Sequence, residues 1–115
     1  MYRTENELKL DIIISGYTED KDKLRVVIDS LQKQLDELNR TDVSALYALG
    51  GKEDKNFDYI IKNAIENFSF SEYYVILDCK ESIYVAPDYI KNIMNIIESN
   101  TNEEVLKNNG INKSK

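Results

Sequence analysis

Histidine is absent from this 115-residue chain, cysteine occurs once, and the sole proline is Pro87. Without His there is no Cys/His zinc site and no Ser-His or Cys-His catalytic pair. Cys79, standing alone, cannot close an intramolecular disulfide. No stretch approaches the roughly 18 to 20 continuous apolar residues that cross a bilayer, and the opening MYRTENELK lacks the apolar centre of a signal peptide, so a cytoplasmic protein is expected. Positive charge is also scarce: 15 basic against 21 acidic residues leave a net charge of −6. A nucleic-acid binder needs a cationic footprint, which makes nucleic acid and an anionic membrane poor partners and the basic surface of a larger protein a better one. The heavy use of Lys, Asn and Ile points to an AT-rich genome of the kind common in phages and other mobile elements.

What is present, 42% hydrophobic and 31% charged residues, suits one ordinary domain. Leu8, Leu10, Ile12, Ile13 and Ile14 read as a first strand, broken by Ser15-Gly16. Thr18 is placed to cap a helix whose amino end gains from Glu19, Asp20 and Asp22. Leu24, Val27, Ile28, Leu31, Leu35 and Leu38 recur at three- and four-residue spacing and form its buried stripe. A polar turn, Asn39-Arg40-Thr41-Asp42, leads to a second strand, VSALYAL, closed by Gly50-Gly51. That glycine pair reads first as a turn, with a phosphate cradle as the sharper alternative.

A charged loop with Asp54 or Asn56 as cap then precedes a helix carrying Phe57, Ile60, Ile61, Ala64, Ile65 and Phe68 on one face. Tyr73, Tyr74, Val75, Ile76 and Leu77 follow as an unbroken apolar run, expected to be a strand buried on both faces and ending at Asp78. Pro87 suits the first position of a third helix, with Tyr89, Ile90, Ile93, Met94 and Ile97 as its stripe. Thr101-Asn102-Glu103-Glu104 has the form of a capping box, and residues 107–115 read as a frayed polar tail.

The order β-α-β-α-β-α specifies parallel strands with right-handed crossovers: a small three-layer α/β sandwich over residues 1–100, with a helical turn and tail at 101–115. Residues 82–86 are a candidate extra strand, and the open sheet edges are free for the tail or a partner. Parallel topology brings Glu19-Asp20, Glu53-Asp54 and Glu81 to one carboxyl-end rim, where open α/β sheets bind their ligands. Tyr2, Tyr17, Tyr84 and Tyr89 are the tyrosines expected at the surface. Cys79 is expected to be a small, partly buried residue, and Lys80-Glu81 a solvated pair.

The run IIISGYTEDKDKLRVVIDSL, the segment Lys62-Asn63-Ala64-Ile65 and the stretch YYVILDCKESIYVAPDYIKNI together resemble the amino-terminal half of the GT-A nucleotide-sugar glycosyltransferases, particularly the family-2 group. The likeness spans residues 8–97 in order and implies a Rossmann-like, GT-A-like half domain. In that family an Asp-x-Asp motif holds a divalent cation against the diphosphate. By this resemblance Asp78 matches the first acid and Cys79 the variable place. Lys80 stands where the second acid belongs, and Glu81 comes one residue later. The acid that grips the nucleotide after the second strand, and the acceptor-binding half, have no counterpart.

Two functions are therefore expected. The first is a non-catalytic, acidic protein-binding module, an inhibitor or adaptor of the phage or mobile-element counter-defence type, needing no cofactor. Its contact residues would be Tyr17, Glu19, Asp20, Glu53, Asp54, Lys80, Glu81 and Tyr84. The alternative is a minimal or subunit-dependent glycosyltransferase in which Asp78 and Glu81 share Mg²⁺ or Mn²⁺ with a nucleotide sugar.

Overall fold

A computed structural model, which describes residues 8–99 and 102–114, puts the run Ile12-Ile13-Ile14 in the middle of a four-stranded sheet. The elements are β1 (Leu10–Tyr17), α1 (Lys21–Leu38), β2 (Val43–Gly50), α2 (Phe57–Phe68), β3 (Tyr73–Asp78), α3 (Tyr89–Ser99), α4 (Glu103–Asn108) and β4 (Asn112–Lys113). Their order in the sheet is β2-β1-β3-β4. β1 runs parallel to both β2 and β3, and β4 is antiparallel to β3. The result is the expected α/β sandwich.

β1 is the strand buried on both faces. Leu10, Ile12 and Ile14 join the core formed by α1 and α3, while Ile13 packs with Ala48 and Ala64 on the α2 side. Each such side chain contributes about 1.5–3 kcal/mol by leaving water. The run at β3, expected to hold that position, is only partly covered on its second face, where Tyr74 packs with the α2-side cluster and Ile76 does not. α2 packs over β2 and β1, and Ile76 on the neglected face is 41% exposed. Phe68, the last residue of α2 and assigned to its buried stripe, is 61% exposed.

β1 is not broken at Ser15-Gly16 but continues to Tyr17. Gly16 supplies room instead: a Cβ there would lie 2.9 Å from Leu24 Cδ1, so its absence lets α1 settle on the strand. Thr18–Asp20 forms a single 3₁₀ turn, with Asp20 rather than Thr18 preceding α1 and no side-chain cap bond at either junction. The buried stripe of α1 falls where its spacing predicts, joined by Gln34. Asn39 ends the helix in the left-handed conformation, φ 55°. Asn56, not Asp54, precedes α2, and its side chain makes no cap bond.

The fourth strand is not residues 82–86, which form a loop, but part of the expected polar tail. Leu106 and Ile111 are buried, and this pair of apolar anchors holds the tail against the core. Asn102 caps α4 by accepting a 2.9 Å bond from the Glu104 N–H, while Thr101, the expected cap, lies outside the described residues. Pro87 belongs to the turn before α3 rather than to the helix, since Tyr89 N–H already bonds Ala86 O at 3.1 Å.

Candidate interaction site at the carboxyl end of the sheet

Because β2, β1 and β3 are parallel, their carboxyl ends and following loops share one rim, with Tyr17 beside Gly50 and Ser15 beside Asp78 in the register. Gly50 shapes what sits there. A Cβ at this position would come 2.7 Å from Ile60 Cδ1 and 3.3 Å from Phe57 Cζ, so glycine lets the first turn of α2 close onto the strand end. Phe57 thereby meets Tyr17 edge-to-face, ring centres 5.5 Å apart at 86°. Such a pair is worth about 0.5–1.5 kcal/mol beyond its burial.

Two lysines cover the aromatic pair. Lys80 Nζ lies 4.7 Å from the centre of the Phe57 ring and Lys52 Nζ 5.9 Å from that of Tyr17. Each contact is worth about 0.5–1 kcal/mol at an exposed site. The carboxylates beneath turn inward to the backbone. Glu19 accepts the Lys52 N–H at 3.2–3.3 Å and Asp54 Oδ2 the Gly51 N–H at 2.7 Å. Asp78 Oδ1 accepts the Lys80 N–H at 3.0 Å, and its Oδ2 lies 3.6 Å from Lys80 Nζ. The amides after Gly50 that a phosphate cradle would use are thus taken by the chain's own acids.

Of the expected contact residues, Tyr17, Glu19, Asp54 and Lys80 are brought into this one cluster. Asp20 faces Lys23 on α1 at 4.0 Å. Glu53 and Glu81 are exposed and carry no ion pair among the described residues. Tyr84 is 70% exposed on the loop after β3. Tyr89 is not at the surface as expected but packs against the core, and burial, with the Cys79 charge adding, pushes its hydroxyl up to about 12. Tyr2 lies outside the described residues. In the segments 18–20, 51–56 and 78–81, which follow the three strand ends, six acids stand against three lysines, so half of the chain's net charge of −6 is gathered at this end.

Among the described residues no three or more Cys, Asp or Glu side chains converge in a metal-holding group. Asp78 is engaged by Lys80 instead. Cys79, beside it, is fully buried, and burial raises its thiol pKa, with the Asp78 charge adding to the effect. The thiol therefore stays protonated at neutral pH, where a nucleophile would need the thiolate.

Three features were not anticipated, the last of them at the amino end of β1, away from the rim. Phe57 and Lys52 complete the aromatic–cation layer; the signal was an aromatic residue starting a helix straight after a charged loop. Gln34 fixes the loop after β3. Its Nε2 donates to Ala86 O and its Oε1 accepts from Ile90 N–H, both at 2.9 Å. A lone amide inside the α1 stripe was the clue. Asp11, buried in β1, accepts from Ser44 Oγ, from Ser69 Oγ at 2.6 Å and from the N–H groups of Phe70 and Ser71 at 3.1 and 3.2 Å. An acid inside an apolar strand signals such a network.

Two clefts lie elsewhere. One of about 230 Å³ is lined by Tyr73, Leu106, Ile111 and neighbours, and one of about 280 Å³ lies between α1 and Val85–Pro87. Compared with protein-family models, curated proteins and solved structures, the chain matches none.

Proposed function

We propose that this protein is a non-catalytic binding module, an inhibitor or adaptor that docks its acidic carboxyl-end rim on a basic surface of a larger protein. The observation that carries this reading is the capture of the rim amides by Glu19 and Asp54. Groups that would have to be free to grip a phosphate are closed on one another. Around them, exposed Glu53, Glu81 and Tyr84 provide charge and rigid aromatic area for a protein contact. Lys80 bonded to Asp78 likewise opposes the alternative, in which Asp78 and Glu81 share a divalent cation with a nucleotide sugar.

Calorimetric titration of the intact chain with uridine and guanosine nucleotide sugars plus Mn²⁺ separates the two. No metal-dependent heat is expected. Saturable heat that requires Mn²⁺ and is lost in Asp78→Asn would overturn the proposal.

A further inference from the structure

We infer that the outer edge of β3, beyond β4, receives an extended basic segment of the partner protein as an added strand. This inference rests on the protein-binding reading above and names how the partner is held. Tyr73 N–H bonds Lys9 O at 3.0 Å and Cys79 N–H bonds Ser15 O at 2.7 Å, so the odd-numbered residues of β3 face β1. Alternation turns the backbone groups of Tyr74, Ile76 and Asp78 the other way. β4 pairs with Tyr73 and Tyr74 alone. Among the described residues no strand lies opposite Ile76 and Asp78. An edge with unpaired N–H and C=O groups is a template for a further strand.

The side chains around this edge define what would bind. Ile76 is 41% exposed on the face that α2 leaves uncovered, and Phe68 on α2 is exposed on the same side of the sheet. An added strand would therefore place an apolar residue there. Towards its end the edge meets Asp78 and Glu81, which carries no ion pair among the described residues, at the rim where the strand-end segments hold six acids to three lysines. Lys or Arg in the incoming segment complements that charge. A second copy of a chain with net charge −6 would instead meet repulsion.

The test uses the full ¹⁵N-labelled chain and the acetylated peptide Lys-Val-Lys-Val-Lys-Val, with Glu-Val-Glu-Val-Glu-Val as its acidic control. Saturating basic peptide is expected to slow hydrogen exchange at the Ile76 and Asp78 amides roughly tenfold or more, and the acidic peptide to leave them unchanged. Ile76→Lys should abolish the slowing by placing a like charge on the edge. Ile76→Pro should do so, as read at the Asp78 amide, by deleting an outward N–H while leaving every bond to β1 in place; circular dichroism and the urea midpoint report whether each variant is folded. Unslowed edge amides in the presence of the basic peptide overturn the inference. So does slowing that grows with protein concentration in its absence, which would assign the edge to a second copy. Shift changes confined to Gly51, Lys52 and Glu81 overturn the edge while leaving the rim reading in place. Absence of any response at edge or rim counts against both.

Discussion

Lys80 Nζ lies 4.7 Å from the centre of the Phe57 ring, which joins the loop after β3 to the start of α2 across the rim. If that contact stabilises the rim, Phe57→Leu and Lys80→Gln must be coupled. A double-mutant cycle in urea denaturation should return about 0.5–1 kcal/mol of interaction energy. Additive effects would show that the two residues are only neighbours.

Asp11 is the buried acid on which the turn between α2 and β3 hangs, through Ser69 Oγ and the N–H groups of Phe70 and Ser71. Asp11→Ala leaves these donors buried without an acceptor, a loss of about 3–5 kcal/mol. That is a large part of the roughly 5–15 kcal/mol that holds a domain together. The variant should unfold at much lower urea than the wild type, and a loss below about 1 kcal/mol would contradict the role given to this network.

Ser15 Oγ, one pleat below Tyr17, is buried and has no hydrogen-bond partner among the described residues. Ser15→Ala removes an uncompensated hydroxyl, so stability should be unchanged or higher by up to about 1 kcal/mol. Marked destabilisation would mean that the hydroxyl has a partner, such as a buried water.

Burial pushes the Tyr89 hydroxyl from its ordinary value of 10.0 up to about 12. Below the unfolded pKa both states are protonated and the contribution of Tyr89 to stability is fully present. Between about pH 10 and 12 the unfolded chain ionises first and binds fewer protons than the folded one, so stability falls as pH rises. Allowing for partial exposure, the loss is on the order of 2 kcal/mol. Tyr89→Phe should flatten this decline when urea midpoints are compared at about pH 9 and about pH 11.5. An identical slope in both proteins would remove Tyr89 from the account.

The sequence states the helices better than it states the sheet. The stripe Leu24 to Leu38 is a local periodicity, and α1 follows it. Which strand lies in the centre depends on non-local pairing: LDIII and YYVIL are both apolar, and only the placement of α2 over β2 and β1 leaves Ile76 open while burying Ile13. The tail misleads by composition, since its polar residues mask Leu106 and Ile111, the two that are buried. The shared rim was legible because parallel strands must end together. That Glu19 and Asp54 would turn inward to backbone amides was not, because the register of two loops against each other sets those bonds.

The rim itself is tested most directly by affinity capture from a cell lysate with the wild type and with the Glu53→Lys/Glu81→Lys variant, whose two positions make no ion pair among the described residues that the fold would lose. The account predicts a basic protein retained by the wild type and reduced roughly tenfold or more by the variant, since reversing both charges sets like against like. No retention by the wild type, or equal retention by the two, would contradict it.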